Sequence, residues 1–119
     1  MRRVFVLIVS VLIISAVPLF AAGEAEGAGE DEGAPVFGIS ISTLNNPFFV
    51  TLRDGAQATA EELGVELVVV DSQDDPAREA SNIQDLIQQD VDALLINPTD
   101  SDAIVPSVQR ANEAGIPVF

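Results

Sequence analysis

The sequence contains no cysteine, histidine, tryptophan or tyrosine, and its five basic residues are all arginines. Without cysteine there can be no disulfide, no thiolate nucleophile and no cysteine zinc site. Against the five cations stand 19 acidic residues, which give a formal net charge of -14. Such a charge repels nucleic acid and anionic lipid. We therefore expect no nucleic-acid partner, and no residue pattern indicates a metal or a cofactor.

The first 23 residues have the composition of a secretory signal peptide. Arg2 and Arg3 precede a long apolar run that Pro18 interrupts, and residues 21–23 supply small side chains for cleavage near their end. The alternative interpretation is a membrane anchor of marginal length. A mature chain without cysteine cannot carry a lipid on an N-terminal thiol. We therefore expect an exported protein that is retained in a periplasm.

The rest of the chain divides into a linker and a lobe. Residues 24–35 are rich in Glu, Gly and Ala and have little to bury, which predicts a disordered acidic linker. From residue 36 to residue 119, apolar runs of strand length alternate with amphipathic helical patterns. The apolar runs are Val36 to Ile41, Val65 to Val70, Ala93 to Ile96 and Ile116 to Phe119.

This alternation predicts an α/β fold with a doubly wound parallel sheet. Near-continuous apolar strands are typical of a sheet covered on both faces, because each right-handed crossover lays a helix on the sheet. Turn and cap residues agree with the pattern. At the helix starts, Pro47 and Pro76 suit first turns, and Asn46 and Asp75 suit the caps before them. At the helix ends, Gly64 and Gly115 suit the left-handed residue after helices one and three, and Asp90 takes that place after helix two. Pro106 predicts a loosened start of helix three near Ser101 to Ile104.

Candidate ligand-binding residues follow the first and third strands. Open α/β sheets bind ligands at the carboxyl ends of strands, where the strand order reverses. Loop one reads STLNNPFF over residues 42–49, and loop three begins at Asn97. Asn97 also suits a turn, Asn46 a helix cap, and Phe48 and Phe49 a core stripe, so structural roles stay open for all four. An aromatic face beside amides suits a sugar, whose C–H face packs on a ring.

Four segments together carry a resemblance to a known family. They are STLNNPFF, DGAQ at 54–57, VVVDSQ at 68–73 and LLINPTDSDA at 94–103. With them, residues 36–119 resemble the N-terminal lobe of periplasmic sugar-binding proteins of the ribose-binding type. The resemblance implies two α/β lobes joined by a hinge, with ribose or a related monosaccharide bound between them. It also implies a monomer that delivers the sugar to the permease of an ATP-driven importer, with a chemoreceptor as the alternative partner.

The family's site residues map onto this sequence through those motifs. The resemblance implies that the sugar contacts Ser42, Asn46, Phe48, Phe49 and Asn97. An Asp-Arg pair that grips the sugar in the family would fall just after Phe119, as would the hinge and the second lobe. We therefore expect residues 36–119 to be a truncated sugar-binding lobe.

Two other protein classes compete with a binding protein. A doubly wound enzyme could use the carboxylates of Asp71, Asp74 and Asp75, but Gly-x-Gly-x-x-Gly and Gly-Lys-Ser/Thr phosphate loops are missing. The helix dipole stabilises acidic side chains that precede the N-terminus of a helix. We therefore interpret these three residues, like Asp100 and Asp102, as solvated caps. A repressor with this lobe would need a basic DNA-binding helix pair where the signal peptide lies. We therefore predict a binding protein rather than an enzyme.

Overall fold

Strands and helices alternate along the part of the chain that the computed structural model describes, residues 33–119. The predicted signal peptide and the linker up to residue 32 lie outside the described residues. The elements are β1 (Val36–Ile41), α1 (Pro47–Leu63), β2 (Glu66–Asp71), α2 (Pro76–Gln88), β3 (Ala93–Ile96) and α3 (Val105–Glu113). None of the described helices has both the length and the apolar character needed to cross a membrane.

β1 is the central strand of a parallel sheet with the order β2-β1-β3. Its residues pair with β2 on one side, Val36 opposite Glu66, and with β3 on the other, Phe37 opposite Ala93. The two strands that follow β1 in sequence therefore lie on opposite sides of it, which confirms the doubly wound parallel arrangement. The strand order reverses beside β1, so the loops after β1 and β3 meet where ligands bind in open α/β sheets.

The predicted fourth strand is present only as an isolated bridge. Leu94 pairs with Val118 in parallel, and the N–H of Phe119 donates to the carbonyl of Leu94 at 2.9 Å. Pro117 contributes a carbonyl to this pairing but has no N–H to donate, which limits the ladder. The prediction of a full strand over Ile116 to Phe119 is therefore wrong in extent, although its neighbour in the sheet is β3.

Helix ends follow the predicted cap chemistry at the first two helices. The side chain of Asn46 accepts the N–H of Phe48 at 2.9 Å, and that of Asp75 accepts the N–H of Ala77 at 2.8 Å. Beyond the helices, Gly64, Gly115 and Asp90 have φ values of 69°, 79° and 54°. The left-handed conformation that the sequence predicts after each helix is thus confirmed, including the position without glycine.

α3 begins later than the sequence predicts. Residues 101–104 form turns, and the regular helix starts at Val105 with Pro106 in its first turn. The carboxylate of Asp100 accepts the N–H groups of Asp102 and Ala103 at 2.9 and 2.8 Å. These bonds satisfy the turn locally, and Pro106 needs no partner for its nitrogen at that position.

The two faces of the sheet are covered to different degrees. α2 and α3 bury one face, where Leu86 and Leu94 are fully buried and lie over Gly38 in β1. On the other face α1 buries Ala60, while Leu63 at the end of the same helix is 71% exposed. An apolar groove of about 300 Å³ remains between α1 and the sheet. Its lining includes Phe37, Ile39, Ala56, Leu63, Leu67 and Leu95.

Candidate ligand-binding site

Asn97 and Ser42 form a direct contact between the loops after β3 and β1. The hydroxyl of Ser42 donates to Oδ1 of Asn97 at 2.8 Å, and the N–H of Ser42 donates to the same oxygen at 3.3 Å. The N–H of Asn97 donates in turn to the carbonyl of Ser40 at 2.9 Å, which continues the pairing of β1 with β3. The structure thus brings together two of the five predicted site residues.

The orientation of the Asn97 amide follows from these contacts. A backbone N–H can only donate, so the group of Asn97 that faces Ser42 must be its oxygen. Its Nδ2 then points away, and within residues 33–119 it donates to no protein group. The Ser42 hydroxyl gives its proton to Asn97 but keeps lone pairs that can accept. The pair therefore offers two donors and an acceptor side by side, which complements a ligand hydroxyl.

Phe48 and Phe49 open α1 at the same edge of the sheet. Their ring centroids lie 5.2 Å apart at an interplanar angle of 80°, an edge-to-face pair. Phe48 is 66% exposed, whereas Phe49 is half-buried. The core explanation that the sequence left open therefore does not hold for Phe48. Its ring is an exposed apolar face on a rigid first turn.

Asn46 holds that first turn in place. Its side-chain oxygen caps α1, and its backbone carbonyl accepts the N–H of Phe49 at 3.0 Å. The cap occupies the oxygen of the amide and not its nitrogen. The structural role that the sequence predicts for Asn46 is confirmed, and a contact with a ligand stays a prediction.

Asp71 has a role at the site that sequence reasoning missed. Its Oδ1 accepts the N–H of Leu44 in the loop after β1 at 3.3 Å and the N–H of Gln73 at 2.9 Å. The N–H of Asp74 also donates to the carbonyl of Ser42 at 2.7 Å. Asp71 is thus not a solvated cap, because it is half-buried and holds loop one from the β2 side. In the sheet Asp71 lies opposite Ile41, the last residue of β1, and this register places its side chain next to loop one.

Glu79 is a second residue whose contacts the sequence does not predict. It is 1% exposed, and its carboxylate accepts hydrogen bonds from the backbone and side chain of Thr99. The signal lay in its spacing, because Glu79 precedes the fully buried Ile83 by four positions and Leu86 by seven. Residues at these spacings share one helical face.

The acidic residues that precede α2 and α3 have local roles. Asp75 caps α2 and Asp100 caps the turn before α3, which confirms the interpretation of these two as caps. In the region from residue 33 onward, no group of three or more acidic, histidine or cysteine side chains could hold a metal ion. Two consecutive left-handed residues, Gln73 and Asp74, shape the loop after β2 instead, with φ values of 53° and 57°.

An apolar hollow of about 330 Å³ adjoins Asn97 on the α1 face of the sheet. Among the side chains that line it, Asn97 is the polar one. The others are Ile39, Leu52, Ala56, Leu95, Ile96 and Phe119. Asn97 therefore lies at the boundary between an apolar surface and the polar edge of the sheet.

Comparison with known proteins identifies the family. Residues 37–119 match the family described as periplasmic binding protein domain. The ribose import binding protein of Escherichia coli K12 is 53% identical over 107 residues, which cover 90% of this chain and 35% of that protein. That of Bacillus subtilis is 54% identical over 81 residues, covering 68% of this chain and 27% of the relative. The chain thus spans about a third of the length of the curated relatives it matches.

Solved structures agree with the sequence match. A solute-binding protein of an ABC transporter from Mycobacterium smegmatis, with bound glycerol, has a TM-score of 0.70 and 40% identity over 72% of this chain and 30% of its own. One from Actinobacillus succinogenes, with bound D-allose, has a TM-score of 0.66 and 32% identity over 71% and 30%. The chain therefore belongs to the periplasmic binding protein family.

Proposed function

We propose that this chain is the N-terminal lobe of an exported solute-binding protein that captures a monosaccharide between two lobes. The observation that carries the proposal is the hydrogen-bonded pair of Ser42 and Asn97 at the edge of the sheet where the exposed ring of Phe48 also lies. The names of its relatives support ribose or a related sugar as the ligand. In this role the protein delivers the sugar to the permease of an ATP-driven importer.

The chemistry of the site suits a sugar in two ways. The ring of Phe48 offers an apolar face to sugar C–H groups, as aromatic rings do in carbohydrate sites. Nδ2 of Asn97 and Oγ of Ser42 offer a donor and an acceptor to a single sugar hydroxyl. Asn46 and Phe49 border the same turn and complete the proposed contact set.

A second lobe belongs to the proposal because this edge is open. Small-molecule sites bury roughly 70–90% of the ligand surface. A sugar resting on Phe48 and Asn97 would keep its other face in water, so we assign the opposite wall to a second lobe joined through a hinge. The 119-residue chain alone should then bind sugars at millimolar concentrations at best, and micromolar binding would contradict the two-lobe account.

Export and partners complete the proposed function. We assign residues 1–23 to a signal peptide that directs the protein to the periplasm, where it acts as a monomer and not as an enzyme. Fractionation of cells that express the full-length protein should place it outside the cytoplasm with the signal peptide removed. A chemoreceptor is the alternative partner, and the sugar would then bind to the same residues.

Calorimetry on the full-length protein tests the function. Titration with ribose, allose, arabinose and glucose should give micromolar or tighter binding for at least one sugar. Chromatography of the same mixtures should recover the sugar unchanged. Absence of binding across the panel would overturn the sugar assignment, and conversion of a sugar would favour the enzyme instead.

A further inference from the structure

A buried carboxylate joins α2 to the loop that carries Asn97. Glu79 is 1% exposed, and both of its carboxylate oxygens accept the N–H of Thr99 at 3.2 Å. Oε2 also accepts the hydroxyl of Thr99 at 2.9 Å. Thr99 follows Asn97 by two residues, with Pro98 between them. The contact therefore acts on the segment that aims the Asn97 amide.

A carboxylate at this position needs an explanation beyond packing. Burying such a group costs free energy unless hydrogen bonds compensate, and an apolar side chain would fill the same space without that cost. Glu79 lies in the first turn of α2, where the helix dipole favours negative charge. The dipole lowers the cost of burial but does not explain why the carboxylate accepts three hydrogen bonds from Thr99.

The loop around Pro98 is held on both sides of that residue. Before it, the N–H of Asn97 donates to the carbonyl of Ser40. After it, the N–H and the hydroxyl of Thr99 donate to Glu79. Proline restricts the residue before it to extended conformations, so little freedom remains at Asn97 once both sides are held.

We propose that Glu79 is a positioning residue of the sugar site, which acts through Thr99 to hold the Asn97 amide with its oxygen toward Ser42 and its nitrogen toward the ligand. The inference rests on the proposed function. Binding groups must stay within roughly 0.5 Å of their productive geometry, and neighbouring hydrogen bonds provide that restraint. Loss of the Glu79 contact frees Thr99 and lets the amide leave its place.

Two substitutions at Glu79 in the full-length protein separate positioning from packing. Glu79→Leu fills the buried position with an apolar side chain and removes both acceptor oxygens. Glu79→Gln keeps one acceptor for the N–H of Thr99, and its amide nitrogen can donate to the Thr99 hydroxyl. We expect Glu79→Leu to weaken sugar binding about tenfold and Glu79→Gln to stay within about threefold of the unsubstituted protein. Equal affinities for the two variants would overturn the inference.

A matched control removes stability from the same helix end without touching Thr99. Asp75→Ala deletes the cap of α2, which accepts the N–H groups of Ala77 and Arg78. Losing such a cap lowers stability, and we expect sugar affinity to stay unchanged. If Asp75→Ala weakens binding as much as Glu79→Leu does, general destabilisation of α2 explains the effect and the positioning role is wrong.

A measurement without sugar distinguishes this inference from the function on which it rests. The amide proton of Thr99 should exchange slowly in the unsubstituted protein and at least tenfold faster in Glu79→Leu, with shifted side-chain amide signals of Asn97. If Glu79→Leu does not fold, Thr99→Val replaces it: this change deletes the hydroxyl bond to Glu79 and leaves the backbone bond, so its expected readout is a shift of the Asn97 side-chain amide signals and not faster exchange at residue 99. Unchanged exchange and unchanged Asn97 signals in the folded variant would refute positioning. Normal protection of Thr99 without sugar binding by any variant would refute the proposed function alone.

Discussion

The hydroxyl of Ser42 donates to the side-chain oxygen of Asn97 at 2.8 Å, across 55 positions of sequence. The two residues end neighbouring strands, β1 and β3, and the N–H of Ser42 donates to the same oxygen. This double contact determines which end of the amide faces the protein. If Asn97 contacts the sugar as proposed, it does so with its NH₂ group, and the sugar must supply an acceptor there.

The free NH₂ group of Asn97 is tested by an isosteric change. Asn97→Asp keeps an oxygen for both donors of Ser42 but cannot donate to a ligand. We expect sugar affinity in the full-length protein to fall by about 1–3 kcal/mol, roughly ten- to a hundredfold, with a small change in the melting temperature. Calorimetry measures the first quantity and thermal unfolding the second.

Asn112→Asp is the control for the added charge. Asn112 is exposed on α3, so its substitution adds the same negative charge away from the site. Its affinity should match that of the unsubstituted protein. Equal weakening in the two variants would mean that net charge, and not the lost donor, lowers the affinity.

Phe48 should show a large effect on binding and a small one on folding. Its side chain is 66% exposed, so Phe48→Ala should change the free energy of unfolding by about 0.5 kcal/mol or less. Losing an aromatic anchor in a closed site typically costs on the order of 2 kcal/mol in affinity. Leu63→Ala, at the other end of α1 and 71% exposed, is the control that should leave binding intact. Normal sugar affinity of Phe48→Ala would remove that ring from the site.

Gly38 and Gly55 should respond to alanine with opposite signs. A Cβ at Gly38 would lie 2.9 Å from methyl groups of the buried Leu86 and Leu94, so Gly38→Ala should destabilise the fold by about 1–3 kcal/mol. A Cβ at Gly55 meets no atom within 4 Å, and Gly55→Ala should stabilise α1 by up to about 1 kcal/mol. Urea unfolding measures both. The contrast fails if the two substitutions shift the midpoint in the same direction.

Asp90 tests the end of α2. Its φ is 54°, a conformation that costs a residue with a side chain more than it costs glycine. Asp90→Gly should therefore raise the free energy of unfolding by about 0.5–1 kcal/mol. The reciprocal change Gly64→Asp, at a φ of 69°, should lower it by a similar amount. A destabilising result for Asp90→Gly would show that the aspartate side chain has a stabilising role of its own.

The elements that sequence predicts best are those whose signals are local. β1 and β3 have the predicted bounds, and the caps at Asn46 and Asp75 form as their neighbours in sequence require. Even β2 starts one residue late for a local reason, because the N–H of Val65 donates to the carbonyl of Ala60 at the end of α1. Hydrophobic period, proline and glycine act within one helical turn, so they can be interpreted without the rest of the fold.

Long-range contacts at the site were harder to predict. The Ser42–Asn97 contact depends on β1 and β3 being neighbours, which strand alternation alone does not determine. Asp71 and Glu79 look like surface acids in sequence, yet each accepts hydrogen bonds from a loop on another element. Their partners appear only when the topology is known, because all of the donors except the hydroxyl of Thr99 are backbone groups, which any residue type could supply.

The central place of β1 also sets the order in which this edge can be completed. β1 is synthesised before β2 and β3, yet the loop that follows it has hydrogen-bond partners at the ends of both of those strands. Asp71 accepts the N–H of Leu44, and Asn97 accepts the hydroxyl of Ser42. While Asn97 is still inside the ribosome, the loop STLNNPFF can form its contact with Asp71 but not its contact with Asn97. Protection of the Ser42 amide proton from exchange during translation would therefore report that α2 and β3 have folded against β1.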